Sequence, residues 1–144
     1  MKIVAGIILY NPDIDRLMDN ISAISPQVES IIIIDNNSIN IIEFEEKLTR
    51  NNKIKLVKNT SNQGVAKALN QLAIAAIGFN YEWLITLDQD SVVPENLVEI
   101  YSRYIGIAKV GLICCKIIDR NFGELSSQQE KRNGWEFVDL CITS

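Results

Sequence analysis

The fold is decided by residues 3–38, which read IVAGIILYNPDIDRLMDNISAISPQVESIIIIDNNS. Apolar runs over 3–10 and 28–34 are typical of strands that are buried on both faces. Between these runs, apolar residues recur at the i, i+3, i+4, i+7 spacing of a helix at Ile14, Leu17, Met18, Ile21 and Ile24. Residues 11–13 predict the start of that helix, with an N-cap and Pro12 in the first helical position, and Pro26 predicts its end. The stretch therefore predicts a strand, a helix and a second parallel strand.

The rest of the chain continues this alternation. Apolar runs predict further strands over residues 54–57, 83–87, 110–118 and 137–143. Helices are predicted over 41–49 and 65–77 and from Pro94 onwards, with the inward face of the 65–77 helix at Leu69, Leu72, Ala73 and Ala76. We therefore expect an α/β fold with a mostly parallel sheet and helices on both faces, formed by residues 1–144 as a single domain.

Composition excludes several classes of protein. The 144 residues are 47% hydrophobic and 22% charged, which is typical of a folded globular domain. Fourteen basic and 18 acidic residues give a net charge of −4, so no nucleic-acid partner is expected. The chain has no histidine, which excludes Ser-His-Asp and Cys-His nucleophile systems within it and leaves a carboxylate as the general base.

The cysteines and the first apolar run indicate a cellular location. Cys114, Cys115 and Cys141 are odd in number and lack the spacing of a metal knuckle, which favours a reducing compartment. The run over 3–10 is too short to span a bilayer, so no transmembrane segment is expected. We expect a cytoplasmic protein, either free or peripheral to the inner face of the membrane.

Polar residues follow each of the first four predicted strands. Ligands of open α/β sheets bind at the carboxyl ends of the strands, so these residues are expected to share one crevice. They are Tyr10 and Asn11, then Asp35, Asn37 and Ser38, then Asn59, Asn62 and Gly64, and finally Asp88, Asp90 and Ser91. Plain turn and cap roles account equally well for Asn37, Ser38 and Asn59.

Asp88 and Asp90 indicate a cation. Two carboxylates two residues apart at a strand end repel each other, and no lysine or arginine lies within ten residues on either side. A divalent metal with a polyanionic ligand would remove that repulsion. The seven glycines contain no Gly-x-Gly pair, so a dinucleotide fingerprint and a Walker loop are absent. A diphosphate would then be held by the metal and by N–H groups of the loop at 62–64.

Four motifs in order give the chain a family resemblance. They are GIILYNP at 6–12, DNNS at 35–38, NQGVAKALN at 62–70 and LITLDQDS at 84–91. In this order and spacing, the chain resembles the family 2 inverting glycosyltransferases of the GT-A fold, and among them the rhamnosyltransferase-like branch. The resemblance covers the whole chain and implies a nucleoside-diphosphate sugar as donor, with dTDP- or UDP-sugars favoured.

The resemblance implies a role for each motif residue. Tyr10 and Asn11 would line the nucleotide pocket, and Asp35 would hydrogen-bond the pyrimidine base, with Asn37 in the same turn as a further binding residue. The loop beside the nucleoside would be shaped by Asn62, Gly64 and Asn70. The family's Asp-x-Asp motif would correspond to Asp88 near the ribose and Asp90 on a Mg²⁺ or Mn²⁺ ion. That ion would neutralise charge on the leaving nucleoside diphosphate.

The resemblance also implies a second half that binds a saccharide or lipid-linked acceptor. In the family the general base is an Asp or Glu beyond a strand resembling 138–144, so we expect the catalytic base downstream of Ser144. The chain is then the nucleotide-binding part of a truncated transferase, without turnover of its own. An apolar surface near 135–144 predicts a homodimer or marginal solubility. Asp35→Ala is expected to weaken nucleotide binding and to leave the fold intact.

Three other interpretations remain open. The segment 88–92 also fits the nucleophile motif of haloacid-dehalogenase-like phosphohydrolases, although that motif normally lies on the first core strand. A chain that lacks a base could bind a nucleotide sugar without transferring it. A receiver-like domain with an acidic pocket would need a lysine at the end of the fifth strand, where Lys116 is the candidate.

Overall fold

A computed structural model describes residues 1–107, 113, 118–119 and 123–124 of the chain. The chain divides into two units, Met1–Ile100 and Tyr101–Ser144. The assignment of all 144 residues to one nucleotide-sugar-binding domain stays a prediction. Of the predicted strands over 110–118 and 137–143, Ile113 and Ile118 are described, and the proposed dimer surface near 135–144 lies outside the described residues.

The described elements alternate as predicted through the first unit. In chain order they are β1 (Ile3–Leu9), α1 (Ile14–Ile24), β2 (Ser30–Asp35), α2 (Ile42–Thr49), β3 (Ile54–Lys58), α3 (Val65–Gly78), β4 (Trp83–Leu87) and α4 (Leu97–Ser102). A 3₁₀ turn, Ser25–Gln27, follows α1. Two-residue strands β5 (Ile118–Asp119) and β6 (Gly123–Glu124) pair antiparallel, and β5 begins at the last residue of the strand predicted over 110–118.

The four long strands form one parallel sheet in the order β3-β2-β1-β4. Every residue of β2 is buried, and so is all of β1 except Ile8, as expected for central strands with cover on both faces. The outer strands of the described sheet, β3 and β4, are only partly buried. The predicted α/β architecture with a parallel sheet is confirmed for this unit.

Helix α3 covers one face of the sheet. Its residues Ala68, Leu72 and Ala76 form a cluster with Val4 of β1 and with Ile32 and Ile34 of β2. Gly6 makes this close approach possible, because a Cβ there would lie 2.9 Å from both Leu72 Cδ1 and Leu84 Cδ1. Since parallel crossovers are right-handed, the turn back from β3 to β4 places α3 opposite α1 and α2.

The inward face of α3 differs from the prediction. Leu72 and Ala76 are buried as expected, but Leu69 and Ala73 are exposed and Ala68 is buried in their place. Apolar residues surround much of this helix, so the sequence pattern alone does not fix its orientation. The small side chain of Ala68 lies against the sheet, where the helix and strands approach closely.

The helix starts also differ from the prediction. Helix α1 begins at Ile14 rather than at Pro12, because Asp13 is the N-cap and its Oδ1 accepts a hydrogen bond from the Arg16 N–H. Helix α4 begins at Leu97, three residues after Pro94. Within the described part of the chain, no helix combines the length and apolar character needed to cross a bilayer.

Candidate functional site

The strand order creates a crevice beside β1. The chain runs from β1 to β2 and β3 on one side and returns to β4 on the other side, so the connections leave β1 in opposite directions. At such a switch point the loops separate at the carboxyl ends of the strands, and ligands bind there. Tyr10 and Asn11 follow β1 at this position, and Asp88 follows β4 directly.

The turn after β2 is organised by Asp35. Asp35 is only 1% exposed, and its Oδ1 accepts a hydrogen bond from the Ser38 N–H at 3.0 Å. Asn37, between them, is exposed and has a left-handed backbone with φ 69°. The carboxylate therefore already holds this turn before any ligand binds.

Asn11 joins the end of β1 to the same turn. Its backbone N–H donates to Ser38 Oγ at 2.9 Å, and its side-chain Oδ1 accepts from the Ile39 N–H at 3.0 Å. Its φ of 47° is in the left-handed region, which asparagine adopts more readily than most residues. Tyr10 beside it is half-exposed. The Tyr10 side chain thus faces solvent in part, whereas the Asn11 side chain holds two loops together.

Asn36 connects β2 to the loop before α3; it belongs to the DNNS motif, but the sequence analysis assigned it no role. It is 3% exposed, and its Oδ1 accepts from the Gln63 N–H and from Asn59 Nδ2, both at 3.0 Å. Asn59 and Gln71 exchange two further side-chain hydrogen bonds at 3.0 and 2.8 Å. Asn59 is therefore a loop-anchoring residue in this structure.

The loop into α3 places the other predicted residues. Asn62 Oδ1 accepts from the Gly64 N–H at 2.9 Å, and Gly64 has a left-handed φ of 79° at the N-cap. No side chain caps this helix, so its first N–H groups carry the partial positive charge of a helix start. Asn70 lies exposed on the second turn of α3, and its side chain has no hydrogen bond within the described ranges.

Residues 88–91, here called the acidic turn, are held from two sides. The Asp88 carbonyl accepts from the Ser91 N–H at 3.2 Å and from Asn20 Nδ2 of α1 at 2.7 Å. The Gln89 side chain accepts from the Tyr10 N–H at 3.0 Å and points its own amide N–H at the Tyr10 carbonyl, 3.5 Å away. The Gln89 side chain thus links the ends of β1 and β4 just beyond the last backbone pair of the two strands.

The two carboxylates of the acidic turn carry uncompensated charge. Partial loss of solvent around its carboxyl group, and to a smaller extent the negative charge of Asp90, raise the pKa of Asp88 above its ordinary value. Both residues are exposed, and neither has an ion pair with another residue that the structure describes. Carboxylate oxygens are ligands that Mg²⁺ and Mn²⁺ prefer, so the donor chemistry fits such an ion.

The acidic turn has no closed set of metal-binding side chains among the described residues. Within residues 1–107 and the few described positions beyond them, no three His, Cys, Asp or Glu side chains are grouped so as to hold a metal. A magnesium ion bound through one or two carboxylates completes its shell with waters and substrate phosphates. The acidic turn fits that second arrangement and not a closed, all-protein site.

Asn20 is the second residue that the sequence motifs missed. It is fully buried on α1, and its Oδ1 has no hydrogen-bond partner in the described part of the chain. An unsatisfied buried polar group costs roughly 1–3 kcal/mol. A signal was present in the sequence, because Asn20 lies three residues after Leu17 and four before Ile24, on the apolar face of the predicted helix.

An apolar groove lies near the other end of this network. It has a volume of about 370 Å³ and is lined by Ile14, Ile39, Asn40, Ile42 and Phe44. It borders the Ile39 N–H that Asn11 binds, and not the acidic turn. The carboxylates of the acidic turn therefore do not line this apolar groove.

Comparisons with known proteins agree with the motifs. The family model described as "Glycosyl transferase family 2" matches residues 6–140. The dTDP-rhamnosyl transferase RfbF of Shigella flexneri is 28% identical over 126 residues, which cover 83% of this chain and 40% of that protein. The chain thus spans about two fifths of the length of this relative. A phosphohydrolase or a receiver-like domain does not fit this match. With an α/β fold of the GT-A type and a rhamnosyltransferase-like sequence, the chain belongs to glycosyltransferase family 2.

Proposed function

We propose that this chain binds the nucleoside diphosphate of a dTDP- or UDP-linked sugar across the carboxyl ends of β1, β2 and β4. In this proposal Asp88 and Asp90 hold a Mg²⁺ or Mn²⁺ ion. The chain would form the donor-binding part of an inverting transferase that moves a sugar to a saccharide or lipid-linked acceptor. The name of the Shigella relative makes dTDP-rhamnose the first donor to test.

The acidic turn carries this proposal. Hydrogen bonds with Asn20 of α1 and with Tyr10 at the end of β1 hold this turn in place. Both carboxylates therefore extend from an ordered segment at the switch point. Each carboxylate lacks a basic partner among the described residues. Carboxylates that are held in place and are not neutralised by a basic side chain are suited to a divalent cation that binds together with the ligand.

A bound divalent ion would neutralise charge on the diphosphate as it leaves the sugar. The remaining tasks fall to side chains of the first three loops. Asp35 is proposed to accept the N–H of the pyrimidine base, and the exposed Tyr10 ring to cover the nucleoside. Asn11, Asn62 and Asn36 keep the loops in place, because their Oδ1 atoms are engaged with backbone N–H groups.

The proposal assigns donor binding to this chain and assigns no catalytic base or acceptor site to its described residues. Binding and transfer are therefore separate questions for this chain. Nucleotide-sugar binding is the outcome that the proposal expects for residues 1–144, and transfer to an acceptor needs an assay of its own. Peripheral association with the cytoplasmic face of a membrane belongs to the same proposal, since a lipid-linked acceptor would be presented there.

Calorimetry tests the proposal directly. Wild-type chain is titrated with UDP and with dTDP, with and without Mn²⁺, beside Asp90→Asn and a matched control, Asp19→Asn. Asp19 is an exposed acid of α1, so this control removes one negative charge outside the acidic turn. We expect Mn²⁺-dependent binding in wild type and in the control, and at least tenfold weaker binding in Asp90→Asn. Binding that needs no metal, or that survives Asp90→Asn, would contradict the metal role.

A further inference from the structure

Asn20 is a polar residue in an apolar position. It lies on the buried face of α1 with Leu17, Ile21 and Ile24, and none of its surface is exposed. Among the described residues its side chain makes one hydrogen bond, from Nδ2 to the carbonyl oxygen of Asp88, 68 residues further along the chain, at 2.7 Å. The side chain thus connects the helix layer to the acidic turn.

Packing alone does not explain this choice of residue. The Oδ1 of Asn20 is buried without a hydrogen-bond partner in the described part of the chain, which is a cost to the folded state. Leucine has a similar shape and would bury no polar atom. An amide at this position is therefore unfavourable for stability, and its retention is explained if the hydrogen bond to Asp88 serves the function of the protein.

That bond fixes the carbonyl from which the acidic turn begins. The oxygen of Asp88 accepts from Asn20 and from the Ser91 N–H, which uses both of its lone pairs. The peptide plane after Asp88 is then held in one orientation. Gln89, the next residue, is fixed in turn by its hydrogen bond with Tyr10. These two attachments hold the backbone segment from which the Asp88 and Asp90 side chains extend.

We infer that Asn20 is a positioning residue for the metal-binding carboxylates. It contacts neither metal nor nucleotide, and acts by holding the backbone of the acidic turn in the orientation that a shared cation needs. The inference rests on the proposed function, because it assumes that Asp88 and Asp90 hold a cation with the diphosphate. It adds a residue that no motif of the sequence assigned.

Gln27 provides a matched control. It is also an amide next to α1, and its Nε2 and Oε1 bond the Pro94 carbonyl and the Val98 N–H, at 2.9 and 3.1 Å. It therefore holds the chain just beyond the acidic turn and not the turn itself. Gln27→Leu removes a comparable link between the same layers, and a general loosening of the fold would affect both variants alike.

The test compares wild type, Asn20→Leu and Gln27→Leu in three measurements. These are calorimetry with Mn²⁺ and UDP or dTDP, thermal unfolding without metal, and hydrogen exchange of the Ser91 amide. Asn20→Leu is expected to melt at or above the wild-type temperature, to bind the metal–nucleotide pair at least tenfold more weakly, and to exchange the Ser91 amide at least tenfold faster. Gln27→Leu is expected to keep wild-type affinity within twofold.

Each result separates the inference from the proposed function. Wild-type affinity and Ser91 exchange in Asn20→Leu would overturn the inference while leaving the proposed function in place. Equal losses of affinity in both variants would also overturn it, because they indicate a general loosening. If wild type itself shows no Mn²⁺-dependent binding, the proposed function fails and the inference with it. Asn20→Ala, which removes atoms without adding any, replaces Asn20→Leu if the latter does not fold.

Discussion

Replacing Asp35 by two different residues separates base recognition from folding. Asp35 is buried, and its Oδ1 holds the turn after β2 through the Ser38 N–H. The prediction that Asp35→Ala leaves the fold intact stays a prediction, and the structure adds that this variant also removes the hydrogen bond from the Ser38 N–H. Asp35→Asn keeps an oxygen that can occupy the Oδ1 position and replaces the other oxygen by an N–H donor. The alanine variant loses both functions, and the asparagine variant loses one.

The magnitudes follow from these contacts. A hydrogen bond between the carboxylate and a base N–H contributes about 1.5–3 kcal/mol, so its loss weakens binding about 10- to 150-fold in either variant. In Asp35→Asn the turn bond changes from charged to neutral, which costs about 1 kcal/mol of the free energy of unfolding. In Asp35→Ala the Ser38 N–H is left unpaired in a buried turn, which costs roughly 1–3 kcal/mol. Affinity should therefore fall in both variants, and stability mainly in Asp35→Ala.

Calorimetry with Mn²⁺ and UDP measures the affinity, and thermal unfolding without ligand measures the stability. UDP methylated at N3 of the base provides the control, because it lacks the N–H that Asp35 is proposed to accept. Wild type should bind this analogue as weakly as Asp35→Asn binds UDP, and the variant should not distinguish the two ligands. If Asp35→Asn binds UDP with wild-type affinity, or still distinguishes the ligands, the base contact is refuted.

Three further predictions concern metal, core and loop. Because the pKa of Asp88 is raised, its protonation competes with metal at pH values above the ordinary 3.8. Mn²⁺ affinity should therefore fall as the pH drops through that raised pKa. Asp90→Asn removes the charge that repels Asp88, so it should stabilise the metal-free protein at neutral pH by up to about 1 kcal/mol. Thermal shift measures both effects. Gly6→Ala should lower the free energy of urea unfolding by about 1–3 kcal/mol, since its Cβ would crowd Leu72; an unchanged midpoint would show that the helix can move away. Asn36→Ala should lose roughly 1–3 kcal/mol of stability and some nucleotide affinity, and equal affinity would show that the loop before α3 takes no part in binding.

The strands could be predicted because they are buried on both faces. A run such as Ile31 to Ile34 has no polar alternation, and such a run is short enough to exclude a helix. All four of those residues are fully buried in the central strand β2. Polar residues directly after each run also gave the strand ends to within one residue for β1, β2, β3 and β4. The parallel sheet then follows from the helices between the strands.

The orientation of α3 could not be predicted in the same way. This helix carries apolar residues around most of its circumference, among them exposed Val65, Ile74 and Ile77. Periodicity then gives several faces of similar quality, and the three-dimensional fit against the sheet selects one. Gly6 on β1 provides the space for Leu72, but a glycine in a strand does not tell from sequence which helix residue will approach it.

The site residues also fall into those that the sequence could predict and those that it could not. Their position directly after a predicted strand identified Tyr10, Asn11, Asp35, Asp88 and Asp90 as candidates, because this criterion needs only the boundaries of the strands. Residues whose partners lie far away in sequence were missed, since a local pattern does not record a contact across 68 residues. Asn20, Asn36 and Gln89 are of this kind, and each supports the loops through a hydrogen bond to another element.

The loops around the crevice are hydrogen-bonded to one another before a ligand is present. Gln89 connects the ends of β4 and β1, Asn11 connects β1 to the turn after β2, and Asn36 connects β2 to the loop before α3. A site whose loops are already ordered loses less conformational entropy when it binds, so part of the affinity resides in side chains that never contact the ligand. Substitutions of such loop-holding residues should therefore weaken every pyrimidine nucleotide by a similar factor. Substitutions of Asp35 should instead change the preference among bases, and that difference identifies which polar residues recognise the ligand.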